Sequence, residues 1–310
     1  SWGAKSLEEC VTFDRDRKFS LGQFLWSGFD YIGEPTPYHT KNSYFGQIDT
    51  AGFPKDSYYV WQSAWTDYRK EPMIHIFPYW DFNEGQLIDV RVCSNAPYVE
   101  LFLNGRSLGR QELTHGAGNG SHILADYRVP YEKGILRAEA SDGDGRKLAE
   151  TERRSFGNSA RIVIMTEASE ALADGRDLLF LEIGTVDEAG NPVENACDRI
   201  HVRVTGDGRL VGLDNGDSTD YDSYKGTSRR LFGGKLLAIV QTEETPGLIR
   251  VEAEGKGLES AVLECESKEA DARPGQQAPK FRQKNHPVPV VLGKEEEIPV
   301  RKVVIRPLEG

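Results

Sequence analysis

The 310 residues carry 38 Lys and Arg against 49 Asp and Glu, a net charge of −11. An acidic, unclustered surface argues against nucleic acid or an anionic membrane as partner, and no apolar run approaches the roughly 20 residues of a membrane-spanning helix. The length suits two or three domains. The four cysteines, Cys10, Cys93, Cys197 and Cys265, are far apart and form no CxxC pair. That spacing fits no zinc site. Free thiols are the expectation, with Cys197–Cys265 the one pairing left open.

In chain order, residues 4–13 (AKSLEECVTF) read as a short helix, followed by the charged approach DRDRK at 14–18. Gly22 to Trp26 is a short apolar run that reads as a fully buried strand. Gly28, Gly33, Pro35 and Pro37 cannot continue it. Trp26, Phe29, Asp30, Tyr31, Glu34 and Tyr38 therefore gather on the loop at the end of that strand. In α/β barrels this is the end where substrates bind. Rings stack on the C–H faces of a sugar, and carboxylates accept hydrogen bonds from its hydroxyls. The same residues also suit a core strand followed by an aromatic-rich turn.

Ser57 to Thr66 places Tyr58, Trp61, Gln62 and Trp65 on one face of an amphipathic helix. Beyond Glu71-Pro72 the period falls to two. Strands are expected at 73–80, 87–94, 98–103, 106–113, 122–129, 134–140 and 146–155, with a hairpin turn at Asn104-Gly105. A break at Gly157-Asn158-Ser159 precedes a second run, near 160–166, 177–187, 199–205, 235–242 and 247–254. Short strands joined by frequent turns suggest immunoglobulin-like sandwiches. From Lys268 to about Glu297, prolines, glutamines and the run KEEE mark an extended linker. Residues 300–306 (VRKVVIR) look like the first strand of a further domain, or one that folds back on a sandwich.

Three stretches resemble one family in the same order. WSGFDYIGEPTPY with NSYFGQIDTAGFPKDSYYVWQSAWT (42–66) resembles the last strand and helix of the catalytic barrel in family 2 glycoside hydrolases of the bacterial β-galactosidase type. HIFPYWDFNEGQLIDVRVCSNAPYVELFLNGRSLG (75–109) resembles the domain after that barrel, and VGLDNGDSTDYDSYKG with RRLFGGKLLAIVQ (211–241) the next sandwich. The expected fold is mainly β, with two immunoglobulin-like β-sandwiches following the last strand and helices of a truncated (β/α)8 barrel. The expected boundaries are barrel end 1–70, sandwiches 71–157 and 158–266, and linker with a possible further β-domain 267–310. A complete barrel needs about 250 residues, so the chain is expected to be a fragment of a larger enzyme.

The resemblance implies a retaining hydrolase of terminal β-galactosides, needing two carboxylates about 5–5.5 Å apart. The family's acid/base follows an asparagine, and its nucleophile ends the strand before this one. Neither motif is present, so no catalytic residue is assigned here. Glu8 and Glu9 lie on a helix, and Glu34 lacks a partner carboxylate. Trp26 is expected to be the platform under the sugar and, by the resemblance, to have a cis peptide bond to Ser27. Asp30 and Glu34 are the candidates for binding hydroxyls, with turn stabilisation the rival role for Asp30.

His39, Lys41, Asn42 and Ser43 are expected on the rim. The Asn-Xaa-Lys motif of related β-glucuronidases would fall at Ser43, Tyr44 and Phe45, which lack both key residue types; a neutral sugar fits better, with Lys41 as the one substitute cation. The Asp-rich stretches SDGDGRK (141–147) and DNGDSTDYD (214–222) read as turns. The twelve-residue calcium pattern is absent, and neither metal nor cofactor is expected. Expected partners are the β-galactoside and the remainder of the barrel, with self-association through residues 22–32. The rival reading is a non-catalytic carbohydrate-binding or adhesin-type sandwich protein. The compartment, cytoplasmic or secreted, stays open.

Overall fold

The computed structural model describes residues 6–270 except Asn119, Ser121 and Ser169. The expected linker beyond Ala270 and the strand at 300–306 lie outside the described residues. Helix α1 (Leu7–Arg15) starts at a reciprocal cap: the Ser6 hydroxyl accepts from the Glu9 amide and the Glu9 carboxylate from the Ser6 amide. That pair satisfies two of the free N–H groups of the first turn. Two short strands, β1 (Tyr31–Ile32) and β2 (Asn42–Ser43), form an antiparallel ribbon, followed by helix α2 (Asp56–Trp65).

The first run of strands comprises β3 (Ile74–Phe77), β4 (Leu87–Ser94), β5 (Tyr98–Leu103), β6 (Arg106–Glu112), β7 (Leu124–Pro130), β8 (Ile135–Ser141) and β9 (Lys147–Arg154). They make a three-stranded sheet, β3-β4-β7, and a four-stranded sheet, β6-β5-β8-β9, all pairs antiparallel. Alternation aims one face of each sheet inward: Ile88, Val90 and Val92 from β4 meet Val99, Leu101 and Leu103 from β5 in one core. Trp80 is wholly buried in that core, its indole N–H donating to the Glu132 carbonyl at 3.1 Å. The β5–β6 turn has positive φ at both Asn104 and Gly105, as a tight hairpin of right-handed twist demands.

The second run comprises β10 (Arg161–Met165), β11 (Ala171–Ala173), β12 (Leu178–Val186), β13 (Arg199–Gly206), β14 (Gly208–Asp214), β15 (Ser228–Arg230), β16 (Lys235–Thr242), β17 (Leu248–Gly255) and β18 (Ala261–Glu269). A four-stranded sheet, β10-β12-β16-β14, and a five-stranded sheet, β11-β18-β17-β13-β15, share a second core around Leu181, Ile183, Ile200, Leu213, Leu236, Val240 and Ile249. β18 continues to Glu269, so the regular structure passes the expected boundary at 266. The strands missed in the sequence were β11, β14, β15 and β18. β11 and β15 are three residues each, two glycines interrupt β14, and glutamates dominate the outer face of β18.

The two sheet pairs meet through ring packing, with Tyr79 against Phe156 of the second core, and through polar bonds. The Asp187 carboxylate accepts from the Gly157 amide at 2.8 Å, inside the break expected at 157–159, and Arg153 pairs with Glu194. All four cysteines are free thiols.

The helices pack on the first sheet pair. Val11, Val60 and Trp61 join Cys93, Ile123 and Leu124 in a third cluster, and Glu8 accepts from the Ile123 and Leu124 amides. On α2 the expected face is half right: Trp61 is buried but Trp65 is exposed. Tyr59 instead faces the sheet, stacking on His75 at 3.8 Å, while His75 Nε2 lies 2.9 Å from Asp56.

A larger correction concerns residues 22–26. They form no strand, and Phe24 is fully exposed. A buried strand needs ladder partners on both edges, and none of the described strands pairs with this segment. Leu25 alone of its apolar side chains packs, against the third cluster.

Candidate functional site

The loop after residue 25 is fixed by backbone and side-chain bonds to the segment 46–55. The Gly28 carbonyl accepts from the amides of Gln47 and Ile48 at 2.9 and 3.0 Å, and the Asp30 amide donates to the Ile48 carbonyl at 2.8 Å. Gly46 is required where these strands of chain cross, since a Cβ there would lie 2.1 Å from the Asp30 nitrogen. Asp30 itself is 6 % exposed; its Oδ1 accepts from the Gly46 amide and the Lys55 ammonium, both at 2.8 Å. Asp30 thus ties the loop to Gly46 and Lys55, with its carboxylate directed into the protein.

Trp26 faces outward, with 74 % of its surface exposed, and the Trp26–Ser27 peptide is cis, as expected. Its indole N–H donates to the Tyr31 hydroxyl at 3.1 Å, and that hydroxyl donates to the Glu34 carboxylate at 2.6 Å. The Trp26 and Tyr31 rings meet edge to face, 6.2 Å apart and at 86°. The result is an exposed indole face, steered by a phenol that a carboxylate steers in turn. Tyr31, on β1, was seen in the sequence as one aromatic among several; nothing in the spacing marked it as the link between Trp26 and Glu34.

The expected rim divides. His39 is exposed, but Asn42 and Ser43 are completely buried. The Lys41 ammonium is also buried, 4.7 Å from the Tyr224 ring centroid. This burial is imposed by the loop 214–224 between β14 and β15. The Lys41 amide donates to the Ser218 carbonyl at 2.9 Å, the Asn42 amide group to the Ser218 hydroxyl at 3.1 Å, and the Tyr221 hydroxyl to the His39 carbonyl at 3.1 Å. Nearby, Asp49 caps its own turn by accepting from the Ala51 and Phe53 amides, each at 2.9 Å. Burial pushes the Asp49 carboxyl up; those two amides oppose the shift and the charges of Asp214 and Asp30 add to it, leaving it at about 6.

The DNGDSTDYD stretch thus has a job beyond a turn, one that sequence could not announce because its contacts lie far away in the chain. Its carboxylates are engaged internally: Asp214 accepts from the Gly216 amide, Asp217 from Thr219, and Asp220 from Asn215 and Arg229. In the other acidic stretch, Asp142 accepts from the Asp144 and Arg146 amides. Among the described residues no cluster of three or more His, Cys, Asp or Glu could hold a metal ion.

Chemically, this surface can stack on a sugar face and hydrogen-bond its hydroxyls through Tyr31 and Glu34. Asp30 is turned inward and the Glu8 and Glu9 carboxylates accept from backbone amides; among the described residues Glu34 is the carboxylate that Tyr31 links to the indole.

Comparison with known proteins agrees with this layout. Residues 162–264, which hold most of the second sheet pair, match the family described as glycoside hydrolase family 2 C-terminal domain 5. Residues 85–149 match a domain of unknown function, DUF4982. The chain is 39 % identical over 273 residues to β-galactosidase BoGH2A of Bacteroides ovatus, covering 86 % of this chain and 31 % of that protein. A putative β-glucuronidase of Formosa agariphila is 31 % identical over 240 residues, covering 75 % of this chain and 22 % of the relative. In three dimensions, the crystal structure of a β-glycosidase from Bacteroides vulgatus superposes with a TM-score of 0.73 at 31 % identity, over 80 % of this chain and 31 % of that one. The chain thus spans less than a third of the length of these relatives. On these matches the chain belongs to glycoside hydrolase family 2 and carries C-terminal domain 5 of that family.

Proposed function

We propose that this chain is the C-terminal part of a retaining β-galactosidase, and that Trp26 is the platform under the bound galactose. The observation that carries the reading is the exposed indole held by Tyr31 and Glu34. An indole whose N–H is already committed keeps its ring face free for the apolar C–H face of a pyranose, while Glu34 retains a second oxygen for a hydroxyl. In this reading residues 1–70 end the catalytic barrel, 71–157 and 158 to about 269 are immunoglobulin-like sandwiches, and the exposed apolar side chains at 19–32 face the rest of the barrel. The pair of catalytic carboxylates comes from outside this chain, because retention requires two about 5–5.5 Å apart on opposite sides of the bond.

A neutral sugar is favoured over a glucuronide. Ser43 stands where a substrate-gripping amide would be, and the Lys41 ammonium is buried against Tyr224 instead of facing outward. The relative with 39 % identity is a β-galactosidase. The non-catalytic reading is not favoured, since the relatives bear glycosidase names.

The test assays the full-length protein and this 310-residue chain on a chromogenic β-galactoside and the matching β-glucuronide. The full-length protein is expected to turn over the galactoside, and the chain alone neither substrate. Preference for the glucuronide would overturn the sugar assignment; turnover by the chain alone above a boiled control would overturn the placement of the carboxylates.

A further inference from the structure

We propose that the loop 214–224, which belongs to the second sheet pair, is a positioning element of the sugar site, with Ser218 and Tyr221 as its working residues. This rests on the platform reading of Trp26. The connection runs through a short series of bonds. Ser218 holds residues 41 and 42 by two bonds, to the Lys41 amide and to the Asn42 side chain. Tyr221 holds the His39 carbonyl. These three positions lead directly into β2, whose Asn42 and Ser43 pair with Ile32 and Tyr31 of β1. Tyr31 then steers Trp26 and contacts Glu34.

A two-residue ribbon such as β1–β2 cannot hold itself, because an isolated hairpin is at best marginally stable in water. Support comes from the second sheet pair, where the loop is itself braced. Arg229, wholly buried, donates to Asp220 Oδ2 at 2.9 Å and to the Leu213 carbonyl at 2.9 Å. The loop also approaches the turn at 49–53 closely: a Cβ on Gly216 would lie 2.0 Å from Asp49 Oδ2. The distal sheet pair therefore has a reason to travel with the sugar site. It sets where Tyr31 stands, and through Tyr31 the tilt of the indole.

The test uses Ser218→Ala combined with Tyr221→Phe, two changes that keep the loop backbone and remove only the tethering hydroxyls. In the full-length protein KM for the galactoside is expected to rise about fivefold, the scale of two modest hydrogen bonds partly compensated by water. kcat should stay within about twofold, as loss of uniform binding requires. Ser218→Thr, which keeps a hydroxyl, should restore part of the loss.

In the 310-residue chain, hydrogen exchange should quicken at residues 31–43 while β13 and β17 and the melting temperature stay unchanged. Unchanged KM with unchanged exchange at 31–43 would overturn the proposal, as would a rise in KM accompanied by general loss of protection. If the parent hydrolyses neither glycoside, the platform reading fails. Faster exchange at 31–43 would still establish the bracing, so the two failures are separable.

Discussion

Trp26 and Trp80 are the same residue type in adjoining regions, yet one keeps 74 % of its surface exposed and the other none. From 74 to 269 the inward residues of the strands meet in two cores, and only scattered side chains such as Phe180 and Phe232 stay exposed. The region before it leaves Phe19, Leu21, Phe24, Trp26 and Ile32 in the open. Apolar composition is comparable; strand partners are not. Burial here follows from who pairs with whom, so the first region leaves apolar side chains exposed where the second builds a core.

The sharpest way to break this comparison is to truncate both tryptophans. Trp80→Ala should cost about 3–5 kcal/mol, since it empties a filled core position and removes the bond to the Glu132 carbonyl. Trp26→Ala should leave the melting temperature nearly unchanged and abolish measurable galactoside affinity. Comparable destabilisation by both, in paired thermal melts, would refute the division into surface and core.

Arg229 tests whether the two regions depend on each other. Its guanidinium is buried and paired with Asp220 at 2.9 Å. Arg229→Met should cost about 3 kcal/mol, because the Asp220 charge would be left without its partner. Limited proteolysis at 214–224 should accelerate with it, and residues 38–43 should follow. If proteolysis at 38–43 stays slow, the regions are held by something other than this loop.

Hydrogen exchange gives a smaller effect on the same comparison. Amides at 22–26 have no ladder partners and should exchange within the dead time, while those of β5, β8, β12 and β16 are retained for far longer. Equal protection in a monomer would mean that 22–26 finds a partner.

The sheet region was largely legible in the sequence, and for a physical reason. A two-residue period bounded by turn signals, as in Val99-Glu100-Leu101 or Ile249-Arg250-Val251, is dictated locally by which face meets the core. Strand ends at 87–94 and 98–103 coincide with the reading because Ser94-Asn95 and Asn104-Gly105 turn the chain. The site was legible only in part. Trp26 stood out by its neighbours and Glu34 by its loop, but the inward turn of Asp30 depends on Lys55 and Gly46. The burial of Asn42 and Ser43 depends on Ser218 and Tyr221, residues that no local pattern connects to them. Likewise 22–26 carries a strand's composition without the partners that would make it one.

Asp49 offers the finest probe, because it sits where the two regions touch. Its carboxyl is pushed up from the ordinary aspartate value of 3.8 to about 6, chiefly through burial, with Asp214 and Asp30 adding like charge. A raised folded value means the folded protein holds this proton more tightly than the unfolded chain. The stabilising contribution is therefore complete below pH 3.8 and is lost as pH rises through 6. At pH 7.5 the carboxylate carries its charge. Asp49→Asn keeps an oxygen to accept from the Ala51 and Phe53 amides and removes that charge. It should raise stability by about 1 kcal/mol at pH 7.5, after allowing for solvent screening at a partly exposed carboxylate. The gain should shrink towards zero near pH 4, where the wild-type group is itself largely protonated. Melting curves of both proteins from pH 4 to 7.5 check this. A constant offset across that range would assign the effect to packing, and a variant less stable at pH 7.5 would show that the turn needs the full charge on Asp49 to hold its two amides.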